Sequence, residues 1–137
     1  MVVAAERPSE KSETVSLDDG RTIDGKASLS PPKKGRKVAI FGDTKACPQA
    51  VRAAKNADVL AHEASFAAGD EKTAERVFHS TVSNAAKLAL QANVKQLYPT
   101  HISARYTEEE QRLMPEQQAQ TIFPASKVVG DFDVFDI

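Results

Sequence analysis

Three short apolar runs recur along the chain, each closed by polar or turn residues. Val38-Ala39-Ile40-Phe41 ends at Gly42-Asp43. Asp58-Val59-Leu60-Ala61 ends at His62-Glu63, and Val94-Lys95-Gln96-Leu97-Tyr98 ends at Pro99-Thr100-His101. Runs of this length, bounded by such signals, predict buried strands. The spacing between them predicts helices. Residues 46–56 are Ala-rich, with Val51, Ala54 and Ala57 at helical intervals. Residues 70–78 and 80–92 follow the same period, and Val82, Ala85, Ala86, Ala89 and Ala92 form one apolar face. Thr107 before Glu108-Glu109-Glu110 predicts an N-cap with acids in the first turn. Pro115 is expected to break or kink the helix that starts there. Lys127-Val128-Val129 and Phe132 to Ile137 predict a last strand. The order β-α-β-α-β-α-β is that of an α/β sheet with helices packed on it.

That pattern fills residues 37–137. Residues 1–25 mix both charge signs with Ser and Thr and are expected to be poorly ordered. The exception is 13–23, where two alternating runs flank Asp19-Gly20 and predict a β-hairpin. Residues 26–36 hold Pro31-Pro32 and read as a basic loop.

Composition narrows the function classes. With 137 residues, 41% hydrophobic and 27% charged, the chain is a globular domain that can bury a core. No run of 18 apolar residues predicts a membrane span, and the first residues lack a secretory pattern. A single cysteine, Cys47, excludes an internal disulfide and a multi-cysteine zinc site. It fits a reducing, cytoplasmic setting. A net charge of −1 argues against a uniformly basic nucleic-acid binder. A local patch remains compatible with it: Lys26, Lys33, Lys34, Arg36 and Lys37 crowd into twelve residues, as a solvated loop or a phosphate contact.

Candidate chemistry lies at the strand ends. The first strand delivers Asp43, the second His62 and Glu63, the third His101; the remaining histidine, His79, opens a helix with Ser80-Thr81. Functional groups collect beyond the carboxyl ends of strands in α/β sheets. Plainer roles also fit each residue: Asp43 as a turn residue, His62 as a packed core histidine, Glu63 as a local pair, His79 as incidental to a cap, His101 as a loop residue. Taken together, Asp and His suit zinc, and a Glu beside a second His suits acid–base work. Arg105 offers a guanidinium for phosphate or a surface charge. Cys47 reads as a packing residue.

Four ordered segments then carry a resemblance. They are Gly35-Arg36-Lys37-Val38-Ala39-Ile40-Phe41-Gly42-Asp43-Thr44, Ala57-Asp58-Val59-Leu60-Ala61-His62-Glu63-Ala64-Ser65-Phe66, His79-Ser80-Thr81, and Thr100-His101-Ile102-Ser103-Ala104-Arg105-Tyr106. Over about residues 13–137 the chain resembles the C-terminal half of ribonuclease Z, the tRNA 3′ endonuclease family of the metallo-β-lactamase fold. The resemblance implies that Asp43 bridges two Zn2+ ions and that His101 binds one of them. It implies that His79 donates a proton to the leaving ribose oxygen, oriented by Glu63, and that Arg105 contacts the RNA. His62 takes a supporting role. Ser65 stands where the family usually has Thr. The implied substrate is pre-tRNA, and the intact short form of the family is a homodimer.

The family's His-x-His-x-Asp-His motif is nowhere in this chain. Asp43 and His101 alone are too few ligands for a closed dinuclear site. The expected architecture is therefore the C-terminal half of an αββα sandwich, incomplete, with one sheet face uncovered. Alone, the chain is expected to be inactive and to bind zinc poorly. The chain is expected to be a fragment or truncated gene product, whose sandwich a partner chain carrying the N-terminal half could restore. Two other readings remain open: a non-catalytic module that binds RNA or pairs with a relative, and half of another metallo-β-lactamase-fold phosphodiesterase or hydrolase.

Overall fold

The structure is a computed structural model and describes residues 14–25, 34–106 and 109–137. It divides into two compact units, with the boundary between Gly35 and Arg36. In the first, β1 (Thr14–Ser16) pairs antiparallel with β2 (Thr22–Asp24), Val15 opposite Ile23. Gly20 sits in the turn at φ +83°, a left-handed position that glycine takes without strain. The Asp19 carboxylate accepts from the Arg21 side chain at 2.7 Å. Residues 1–13 and 26–33, which include most of the expected disordered segment and basic loop, lie outside the described residues.

The second unit runs β3 (Val38–Phe41), α1 (Pro48–Ala54), β4 (Val59–Glu63), α2 (Glu71–Arg76), α3 (Val82–Ala92), β5 (Gln96–Thr100) and α4 (Glu109–Ile122). Its three strands are all parallel in the order β3-β4-β5. Parallel neighbours need crossovers, and the helices supply them. Ala39, Phe41, Leu60 and Leu97 turn one sheet face toward a core completed by Ala50 and Ala54 of α1, Ala85, Ala86 and Ala89 of α3, and Ala119 of α4. The many alanines let helices approach the sheet closely. On the alternate positions, Ile40 is 53% exposed and Tyr98 is half-buried.

At the amino ends of the strands one side chain ties all three together. Asp58 accepts from the Lys37 backbone at 2.8 Å and pairs with Lys95 at 2.6 Å. The Lys95 contact, followed by the Lys37 bond, holds its carboxyl down at about 2. At the opposite ends, Phe41 lies beside His62 and Glu63 beside Thr100. The residues just past Phe41, Glu63 and Thr100 therefore share one edge.

Three expectations change. Helix α3 begins at Val82, capped by the Thr81 hydroxyl accepting from the Asn84 N–H at 3.1 Å. His79 lies before it, in the turn that closes α2. Helix α4 runs through Pro115. Its ring is fully buried and α4 packs against α3, which offsets the lost backbone donor. The tail forms no strand among the described residues. It meets β5 through one bridge, Leu97 to Ser126. The Leu97 N–H donates to Ala125, the Lys127 N–H to Leu97 and the Val129 N–H to Pro99. Pro99 has no N–H to return, so the ladder stops there. Beyond it, Phe135 stacks on Tyr98 with ring centres 4.4 Å apart. No helix among the described residues is long and apolar enough to cross a membrane.

Candidate metal and acid–base site

The shared strand edge gathers Asp43, Glu63, His79 and His101. Asp43 follows β3 and Gly42. His101 follows β5 at φ +59°, a left-handed turn that brings its ring 5.7 Å from the His79 ring, nearly parallel to it. His79 arrives through the end of α2. There Phe78 takes φ +62° and the His79 N–H returns to the Ala74 carbonyl at 2.9 Å. This is the reversed closure common at helix ends, here built on Phe rather than Gly.

Glu63 is the anchor, 1% exposed. Its Oε1 accepts from the Thr44 N–H at 3.2 Å and the Ser80 N–H at 2.9 Å, and lies 3.0 Å from His79 Nδ1. Its Oε2 accepts from the Ser65 N–H at 3.0 Å and the Ser65 hydroxyl at 3.1 Å. One carboxylate thus joins the loop after β3, the loop after β4 and the start of α3. Ser80 adds a latch: its Oγ donates to the Thr44 carbonyl at 2.9 Å and accepts from the Ala46 N–H at 3.0 Å.

Asp43 Oδ1 lies 3.7 Å from His101 Nδ1. One ligand atom from each of Asp43, His79 and His101 lies within 4.8 Å of the others. Two imidazole nitrogens and one carboxylate oxygen suit zinc by donor type. Their number falls short of four, and His79 is already engaged by Glu63, so these residues make a partial site. A cleft of about 400 Å³ opens beside them, lined by Ser65, Phe66, Val77, His79, His101 and Ser103 among others.

The other candidates fall outside this cluster. Arg105 is exposed, with its guanidinium 4.9 Å above the Phe66 ring. Its loop is pinned by Tyr106, whose hydroxyl accepts from the Ala67 N–H at 2.9 Å and donates to Asp70 at 3.1 Å. His62 is fully buried beside Phe41, the two rings edge to face at 5.5 Å. Its Nδ1 meets the Glu63 carbonyl at 2.6 Å, its Nε2 has no hydrogen-bond partner, and burial pushes its basicity down. The packed-histidine reading is the one this geometry matches. Lys37 sits at the opposite end of β3 and donates to the Lys55 carbonyl at 2.8 Å. Cys47 precedes α1, partly buried against the core. Sequence reasoning passed over Ser65 as a conservative replacement. Its only signal was its place two residues after Glu63.

A family model for the beta-lactamase superfamily domain matches residues 12–102. The chain belongs to this superfamily. Two relatives are close in sequence. Ribonuclease Z of Lactiplantibacillus plantarum is 52% identical over 124 residues, covering 90% of this chain and 40% of the relative. Ribonuclease Z of Bacillus velezensis is 51% identical over 122 residues, covering 89% and 40%. The chain spans about two fifths of the length of the curated relatives it matches. Among solved structures, human tRNase Z, short form, matches with a TM-score of 0.57 at 28% identity, over 85% of this chain and 36% of that one. A metallo-β-lactamase-fold protein of Bacillus subtilis matches with a TM-score of 0.60 at 20% identity, over 69% and 37%, a likeness of fold alone. The chain thus carries part of a metallo-β-lactamase fold, and the resemblance to ribonuclease Z drawn from its four segments holds.

Proposed function

We propose that this chain is the C-terminal portion of a zinc-dependent endoribonuclease that removes the 3′ trailer from tRNA precursors in the cytoplasm. One observation carries the reading: His79 is held by the buried Glu63 beside Asp43 and His101, all at one strand edge. The ribonuclease Z relatives at about half identity support it. Asp43 and His101 would hold metal. When bound, zinc supplies activation of the attacking water and neutralisation of charge on the phosphoryl group. His79 gives up Nδ1 to Glu63, which leaves Nε2 to face the scissile bond. The ring must carry a second proton, on Nε2, for this step: as the new water–phosphorus bond forms and the bond to the ribose 3′ oxygen breaks, the imidazolium gives its Nε2 proton to that oxygen and returns to the neutral Nδ1–H form held by Glu63. The products are a tRNA with a free 3′-hydroxyl and a 5′-phosphorylated trailer. Arg105 contacts the RNA flanking the cleavage point.

The chain alone is inactive in this reading, because two ligands do not close a dinuclear site. It needs the His-x-His-x-Asp-His portion of the fold to complete the site, in an assembly that dimerises as the intact family does. The test is co-expression with the N-terminal portion of the Lactiplantibacillus plantarum relative. Cleavage of pre-tRNA by the pair and by neither part alone is the expected result. A stable pair that cleaves a small phosphodiester but not pre-tRNA would move the chain to another hydrolase class.

A further inference from the structure

We propose that Ser65 is a positioning residue: its hydroxyl holds His101 as the Nδ1–H tautomer and so presents Nε2 as the metal-binding nitrogen. The consequence for metal rests on the proposed role of His101. The proton assignment itself rests on hydrogen-bond geometry. Ser65 is 6% exposed. Its Oγ lies 2.8 Å from His101 Nδ1, 3.1 Å from Glu63 Oε2 and 3.3 Å from His79 Nδ1.

A hydroxyl has one proton to give, and an ionised carboxylate can only accept. If the Ser65 proton went to His101, Oγ would face Glu63 Oε2 with no proton between two oxygens. If it goes to Glu63, every contact is bonded: Oγ then accepts from His101 Nδ1–H. His79 Nδ1–H already has Glu63 Oε1 at 3.0 Å, with Ser65 as its longer second acceptor. Both rings therefore leave Nε2 as the nitrogen not engaged by Glu63 or Ser65: a lone pair for metal on His101, and on His79 the position that takes up and passes on a second proton. Glu63 sets the tautomer of His79, and Ser65 that of His101.

The hydroxyl is itself held in place. The Ser65 N–H donates to Glu63 Oε2 at 3.0 Å, and its carbonyl accepts from the Ser103 N–H at 3.2 Å, in the loop that carries His101. The partner of a ligand histidine's second nitrogen fixes both tautomer and ring orientation. Serine lacks the β-branch that stiffens threonine, so these bonds alone select its rotamer. A threonine placed here keeps the same oxygen.

The chain has three histidines, so a nitrogen–proton correlation spectrum of the imidazoles, recorded on the full chain at a pH where the rings are neutral, reads each tautomer directly. The expected result is Nδ1–H on His101 in the wild type, Nε2–H on His101 in Ser65→Ala, and Nδ1–H restored in Ser65→Thr. His62 is the internal control. Its Nδ1 bond to the Glu63 carbonyl does not involve Ser65, so its pattern stays unchanged if the fold is intact. Nε2–H on His101 in the wild type overturns the proposal, even if Ser65→Ala fails to fold. So does Nδ1–H persisting in a folded Ser65→Ala. Pre-tRNA cleavage by the reconstituted pair is a separate readout: its loss would overturn the functional reading and leave the tautomer assignment standing.

Discussion

At the scale of single residues, the proposed function gives metal binding to Asp43 and His101 and proton transfer to His79. His79 Nδ1 is occupied by Glu63, whereas Asp43 is exposed and has His101 Nδ1 3.7 Å from its Oδ1. In the reconstituted enzyme, His79→Ala is expected to slow cleavage by about 10²–10⁴-fold with zinc content nearly unchanged. Asp43→Ala is expected to lower zinc content itself. Metal analysis beside single-turnover cleavage checks both; the opposite pattern would reverse the two roles. His62 supplies a stability test. Burial keeps its folded-state value below the ordinary 6.5, so below that pH the unfolded chain takes up the proton first. Its contribution is complete above about pH 6.5 and drains as pH falls toward the lowered value. The thermal midpoint should drop as pH falls below about 6.5, and His62→Leu should flatten that slope. Residue order puts Asp43, Glu63 and His101 at strand ends and expects His79 to open a helix; the structure gathers the four, with His79 in the turn that closes α2. Sequence reasoning could not find the Ser65 contact, which joins positions 36 residues apart.

At the scale of elements, helix ends place the site. Helix α3 starts at a Thr81 cap that is fully buried, next to the Ser80 N–H that Glu63 accepts. Thr81→Ala should cost about 1 kcal/mol, read as a lower urea midpoint, and Thr81→Ser should recover most of it. The core face is similarly exposed to test: Leu60 is fully buried among the helices, and Leu60→Ala should cost about 2–5 kcal/mol. The three core strands and the alanine-rich helix faces were legible from periodicity. The tail was not. Its apolar pattern suits a strand, but whether it pairs depends on the edge it meets, and at Pro99 that edge has no N–H to continue the ladder begun by Leu97.

At the scale of the whole molecule, the sheet has one face packed on helices and another that still exposes Ile40. A lone exposed apolar side chain is ordinary by itself; this one lies on the face that a sandwich would cover with a second sheet. In the proposed assembly that surface meets the N-terminal portion of the fold. Ile40→Asp should therefore abolish co-purification with that portion while shifting the chain's own melting temperature little, since a half-exposed side chain adds little to its core. Unchanged co-purification would place the contact elsewhere.

Local chemistry is written in near neighbours, so the three core strands, the helices, the Asp19-Gly20 turn and the candidate residues at the strand ends could be read from residue order and spacing. Long-range pairing is a different kind of information. The parallel register sets Phe41 beside His62 and Glu63 beside Thr100, and only that register brings Asp43, His79 and His101 within one ion's reach and buries Glu63 beneath them. The same packing turns His62 into a core residue although it stands next to Glu63 in the chain. Alternate residues of a strand face opposite ways, and three dimensions settle which way meets the core.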